Sequence, residues 1–317
     1  MSNDIQGEIG FLARDPVYET VKPYNLRFAP PDDLPRNNLQ REKRRVTIKD
    51  ARDMDVSIDV NGFCLVRLST SMTYSDFNHP SQIEGTYARK LAANLEPIFN
   101  TRHVRVMDYL VRRRHRDYPN SNGKDFVNPQ PAGLAHLDFS LDEAVRMLRT
   151  MYGDRVAEIL QPRWQVINVW RPLKGPLADW PLAVCDTQTF DAARDSLASD
   201  AVYPEWTYEN VMVHYNPRQA WYYFHALEVG ETMLFKYADS DASASGDMSA
   251  ECFLSFVVSF VLKRSTNCSA CPHVAFPNPR ASPEEPPRES IESRVFVLYA
   301  PFENFPEETG AIYGNRI

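Results

Sequence analysis

"WQVINVWR", Trp164 to Arg171, decides the fold. Trp, Val and Ile are strand-favouring residues, and the run is short and closes at Pro172. The same texture returns downstream in "LAVCD", "NVMVHY", "AWYYFHAL", "ETMLFKY" and "SRVFVLYA", with Pro, Gly and Asp between the runs. Many short strands of this kind predict a sandwich or barrel. Upstream, "HVRVMDYLV" alternates as a half-buried strand, with Val104, Val106 and Tyr109 near one face. "VSIDVNGFCLVRLS" has strand character around a turn at Asn61-Gly62, and "YARKLAANLEPIF" has helical apolar spacing. In "SLDEAVRMLRTMYGDRVAEIL", Ser140 followed by Glu143 is a capping box, so a helix is expected to start at Ser140. The expectation is one α+β enzyme domain, a β core with helices packed outside it.

The 317 residues can bury a sizeable core. Forty-two acidic against 35 basic side chains give a net charge of -7. That balance argues against nucleic-acid and anionic-membrane partners. Residues 1–45, rich in Pro, Asn and Arg, read as an extended N-terminal arm, and 46–317 as a single domain. "MSNDIQGEIGFLARD" is polar and carries no apolar signal core. With five scattered cysteines, this predicts a cytoplasmic protein. The longest apolar run, "CFLSFVVSFVL" from Cys252, is too short for a spanning helix. A small-molecule substrate is expected, with a homo-oligomer allowed for.

"AHLDFS" (Ala135–Ser140) carries the chemistry. On a strand, residues two apart share a face, so His136 and Asp138 can converge on one cation while Leu137 points the other way. Two His and one carboxylate bind non-haem Fe(II) and leave coordination positions open. Of the seven histidines, His273 in "CPHVAFPNP" is the best second ligand. It is followed by "RES", Arg288 to Ser290. A 2-oxo acid bound to iron needs a guanidinium for its far carboxylate, which Arg288 or Arg294 can supply, with Ser290 adding a hydroxyl. The plainer reading is a surface His and an Asp beside a helix N-terminus. "RRRHR", Arg112 to Arg116, reads as a solvated face.

"NVWRPLKGPLADWPLAVCD" (Asn168–Asp186) closely resembles the hallmark segment of a fungal hydroxylase/desaturase family, the cephem-methoxylase-like or gibberellin-desaturase-like proteins. "VTIKDARD", "SIDVNGFCLVRLSTSM", "VRVMDYLVRRR", "AHLDFS", "AWYYFHAL", "ETMLFKYADSD", "PHVAF" and "PRESIESRVFVLY" follow the family's order, and together cover most of Val46 to Tyr299. The resemblance implies a double-stranded β-helix (jelly-roll) core with flanking helices. It implies an Fe(II)- and 2-oxoglutarate-dependent dioxygenase that uses O2 for hydroxylation, desaturation and related oxidations in fungal secondary metabolism. By position, His136, Asp138 and His273 look like its iron ligands. Arg288 with Ser290 looks like the 2-oxoglutarate anchor, with Arg294 as rival. Asn168 and Trp170 share a strand face and Arg171 points oppositely; they are candidates for the pocket wall, or for a buried aromatic and an Arg satisfying loop carbonyls. Tyr222, Tyr223 and Lys236 are also family-like, the Tyr pair being core plus rim.

Two features depart from the family. "CSAC" (Cys268–Cys271) lacks a second Cys pair at zinc spacing. A candidate insertion at 241–271 precedes "PH" and reads as a lid or oligomer contact, or as a retained intron, which sequencing the spliced transcript decides. The alternatives in function are a zinc-dependent hydrolase or lyase on the same three ligands, and a non-catalytic β-barrel binding protein.

Overall fold

Strand-favouring runs pair into two sheets in the computed structural model, which describes residues 2–30, 33–120, 125–241 and 270–301. In chain order the strands are β1 (Ile5–Leu12), β2 (Tyr24–Leu26), β3 (Arg41–Asp50), β4 (Phe63–Arg67), β5 (His103–Arg113), β6 (His136–Leu137) and β7 (Trp164–Pro172). They continue as β8 (Leu182–Cys185), β9 (Ser196–Val202), β10 (Thr207–Val213), β11 (Trp221–Tyr223), β12 (Glu231–Asp239), β13 (His273–Ala275) and β14 (Glu289–Leu298). Among the described residues one sheet runs β1-β3-β11-β8-β13-β6-β10-β9-β2 and the other β4-β12-β7-β14-β5. Neighbours far apart in sequence are adjacent in space, as in the jelly roll.

The two sheets bury different side chains between them and outside them. Trp164, Val166, Phe296 and Leu298 of the smaller sheet meet Leu137, Phe139, Ala201 and Tyr208. On the outer face Ile167, Val169, Leu234 and Val295 pack against Leu91, Leu95 and Phe99 of the helix Ala88–Phe99. Every residue of β7 is therefore buried, which is why "WQVINVWR" shows no polar alternation.

The expected strand at His103 forms, with one irregularity. The register slips so that Val106 faces Val295 while Asp108 faces Arg294, leaving Met107 as the extra residue. Val104, Val106 and Tyr109 consequently share the outer cluster, and Asp108 turns inward. The helix at "SLDEAVRMLRTMY" starts as expected: Ser140 is its N-cap, and its Oγ accepts from the Glu143 N–H at 3.2 Å. "VSIDVNGFCLVRLS" is strand only after the turn; 57–62 close on themselves through Asn61 N–H to the Ser57 carbonyl at 2.9 Å. A local hydrogen bond takes the donor that a strand ladder would need.

Within the expected arm, β1, β2 and the start of β3 join the larger sheet. β3 runs across position 45 and pairs with β1, whose Ile5, Ile9 and Phe11 cover Ala183, Val213 and Val274. Gly10 carries this strand past the loop that feeds His136. Its carbonyl accepts from Ala135 N–H at 2.8 Å, and a Cβ there would run into the Gly133 carbonyl oxygen. Of the stretch 241–271, positions 242–269 lie outside the described residues, as do Cys268 and "CFLSFVVSFVL". Among the described residues no helix is long and apolar enough to cross a membrane.

Candidate functional site

β6 and β13 are neighbours, and His136 stands directly opposite His273. Asp138 follows β6 by one residue. His136 Nε2 lies 3.7 Å and His273 Nε2 3.8 Å from the same carboxylate oxygen, Asp138 Oδ1. The three ligand atoms lie within 4.8 Å of one another, and the ring centroids are 4.4 Å apart. His136 Nδ1 sits 2.8 Å from the Leu134 carbonyl, so that nitrogen carries the proton and Nε2 keeps its lone pair.

The opposite sheet braces this cluster with one cross-strand row. Phe235, Asn168, Arg294 and Asp108 are register partners across β12, β7, β14 and β5. The Phe235 ring lies 4.8 Å from that of His273. Asn168 Nδ2 donates to Asp138 Oδ2 at 2.6 Å, leaving Oδ1 for the imidazoles. Arg294 Nε donates to Asp108 Oδ1 at 2.7 Å, and a second bond joins Arg294 Nη2 to Asp108 Oδ2.

Burial pushes His136 below the usual imidazole value, and burial with the neighbouring His136 pushes His273 down to about 4. Burial alone would raise Asp138, but His273, Arg294, His136 and Asn168 hold it down at about 2. Two neutral imidazoles and one ionised carboxylate is a donor set that non-haem iron(II) accepts.

Arg288 is 2 % exposed. Its Nε donates to Ser290 Oγ at 3.2 Å, its Nη1 to the Trp180 carbonyl at 2.9 Å, and its guanidinium lies 5.0 Å over the Trp170 ring. Its backbone N–H donates to Asp179 Oδ2 at 2.7 Å, but no carboxylate pairs with its guanidinium among the described residues. Burial and the nearby Arg112 charge push it downward. The rival Arg294 is already matched by Asp108.

A cavity of about 710 Å3 reaches His136 and Asp138. Asn168, Trp170, Arg171, Tyr222 and Tyr223 do not line it. Trp170 and Tyr222 pack between the sheets, Arg171 points outward to Thr70 Oγ1 at 3.3 Å, and Tyr223 Oη donates to the Asn3 carbonyl at 2.6 Å. Lys236 is buried against Asp239 at 3.0 Å. The solvated reading of Arg112–Arg116 is corrected for Arg112, Arg113 and Arg114, while His115 and Arg116 are exposed as that reading expects. Arg112 pairs with Glu292 at 2.7 Å inside the cavity, and Arg114 with Asp179 at 2.6 Å. A run of cations hid these pairs because their acids lie on other elements. Tyr118, Tyr208 and Met212 also line the cavity and carried no signal in the sequence.

A family model described as "YDMC: Oxidoreductase/YMDC permease-like domain" matches residues 10–257, most of the chain. The chain belongs to that family. Among curated relatives, the Fe(II)/2-oxoglutarate-dependent dioxygenase nvfI of Aspergillus novofumigatus is 27% identical over 304 residues, 92% of this chain and 96% of that one. The hydroxylase/desaturase efuI of Hormonema carpetanum is 26% identical over 80% of this chain and 83% of its own length. The solved structure of the iron and alpha-ketoglutarate-dependent endoperoxidase NvfI superposes with a TM-score of 0.74 at 22% identity, covering 94% of this chain and 98% of that one. That likeness carries the jelly-roll fold. These curated relatives carry dioxygenase and hydroxylase/desaturase names.

Proposed function

We propose that His136, Asp138 and His273 hold Fe(II), and that Arg288 with Ser290 anchors 2-oxoglutarate. The chain is an Fe(II)/2-oxoglutarate-dependent dioxygenase of fungal secondary metabolism, oxidising a small molecule by hydroxylation, desaturation or a related C–H oxidation. The observation that carries the residue assignment is the convergence of two imidazoles and one carboxylate within 4.8 Å at the cavity. When bound, iron with the keto acid and dioxygen supplies the oxidising power that no side chain has.

The protein's own groups position and desolvate. The Leu134 carbonyl fixes the His136 tautomer, and Asn168 takes the second oxygen of Asp138. Both acts favour one ligand geometry over several. Arg288 is a buried cation without a carboxylate, an arrangement that an incoming carboxylate relieves. Ser290 accepts from Arg288, so its own O–H is left to donate to that carboxylate. Arg294 stays with Asp108 and serves the row beneath the site.

The zinc hydrolase and the non-catalytic binding protein are the weaker readings, because the relatives spanning most of the chain carry dioxygenase and hydroxylase/desaturase names. A reducing, cytoplasmic setting is part of the same proposal, supported by Cys64, Cys185 and Cys271 being free thiols. Succinate release from 2-oxoglutarate tests the function. It should require added Fe(II) and vanish in His273→Ala; turnover of an ester or other hydrolysable substrate with zinc and no succinate would favour the hydrolase.

A further inference from the structure

The cavity wall is basic although the chain is acidic. Arg27, Arg36, Arg41, Arg112 and Arg294 line it. Three of these charges are already answered inside the protein: Arg36 by Asp125 at 2.7 Å, Arg112 by Glu292 at 2.7 Å, and Arg294 by Asp108. Arg27 and Arg41 have no acidic partner among the described residues. They come from different parts of the amino-terminal segment. Arg41 opens β3, and Arg27 follows β2, its backbone N–H donating to the Val202 carbonyl at 2.7 Å.

Both charges are felt inside the cavity. Burial raises the Tyr118 and Tyr208 phenols, and the Arg41 guanidinium pulls Tyr118 back while Arg27 pulls Tyr208 back. Both tyrosines are lining residues. Leu39, Leu134, Met212 and the rings of Tyr203 and Tyr208 add apolar surface to a wall that also carries polar groups such as Asn25, Gln130 and Asn210. Tyr203 is held flat by stacking on Trp206, with centroids 4.4 Å apart and planes 9° apart.

We propose that the substrate of this site is an amphipathic carboxylate, its anion held by Arg27 and Arg41 and its apolar body laid along Leu134, Met212 and Tyr208 toward His136 and Asp138. This rests on the oxygenase reading. It also separates two anion sites: Arg288 is enclosed and is not a lining residue of the cavity, whereas Arg27 and Arg41 are exposed at its wall. A guanidinium facing water holds a carboxylate by two parallel N–H donors, so charge at this point selects a ligand class without touching the reacting atoms.

The test uses the full chain with Fe(II) and 2-oxoglutarate, held without oxygen, and two fluorescent probes of one shape. Dansylglycine carries a carboxylate; dansylglycinamide does not. The anion should bind wild type about tenfold more tightly than the amide. In Arg27→Gln/Arg41→Gln that preference should vanish while amide binding stays, and Arg27→Lys/Arg41→Lys should restore part of it, which a folding defect would not do. Equal affinities in wild type, binding by neither probe, or a preference surviving in the glutamine variant each overturn the proposal. The visible band of iron-bound 2-oxoglutarate is read in the same samples. A band with no anion preference sinks this inference alone; an anion preference with no band sinks the oxygenase reading and leaves the anion site standing.

Discussion

Asn168 on β7 donates its amide N–H to Asp138 Oδ2 at 2.6 Å, across the gap between the two sheets. The bond leaves Oδ1 facing His136 and His273. A carboxylate held by one oxygen presents the other at a fixed angle.

Asn168→Ala should therefore weaken Fe(II) binding by about tenfold or more while the fold persists. Anaerobic metal titration reads this, and an unchanged affinity would remove Asn168 from the positioning role.

Arg288→Gln should raise the Kd for 2-oxoglutarate by about 30-fold or more, since a charge-paired anchor lost from a buried site costs about 2 kcal/mol at least. Binding of Fe(II) alone should not move. Titration of the keto acid against the iron-loaded protein is the measurement.

Arg294→Met should act on stability. It strands Asp108 uncompensated in the core, at about 3–5 kcal/mol in urea unfolding, and Asp108→Leu added to it should recover most of the loss. If Arg294→Met instead unfolds normally and abolishes 2-oxoglutarate binding, the anchor has been assigned to the wrong arginine.

The same residues show what a sequence can and cannot reveal. His136 and Asp138 were legible because strand period two puts them on one face, and Ser140 because capping is local. Arg294 lay in plain sight, but its partner Asp108 turns inward only because Met107 is an extra residue in β5, and no pattern in "HVRVMDYLV" announces that slip. The pairing of Arg112 with Glu292 was hidden for a similar reason, since it joins β5 to β14 across 180 positions. The amino-terminal segment read as an arm because Pro and Asn break its local pattern. Its strands are instead set by long-range pairing, as where β1 covers Val274.

Ser140→Ala should cost about 1 kcal/mol, the usual worth of an N-cap, because the Glu143 N–H loses its acceptor. Denaturant unfolding checks it; an effect below about 0.3 kcal/mol would mean water replaces the hydroxyl at that helix end.

Acid should destabilise the metal-free protein. Burial holds His136, His214 and His273 below the ordinary imidazole value, His273 at about 4, so each is neutral when folded and protonates more readily when unfolded. Their contribution is present above pH 6.5 and is lost as the pH falls from 6.5 toward 4. The Tm should drop between pH 7.5 and 5, and His214→Gln should remove part of that slope. A flat Tm over this range would contradict the burial of these rings.

The most direct test of the central claim is anaerobic absorbance of the metal-free protein given Fe(II) and then 2-oxoglutarate. Wild type should develop the weak visible charge-transfer band of an iron-bound keto acid. His136→Ala should show none at any concentration, and Arg288→Gln should recover it at high 2-oxoglutarate. No band in wild type, or an undiminished band in His136→Ala, would contradict the assignment of His136, Asp138 and His273 as the iron site.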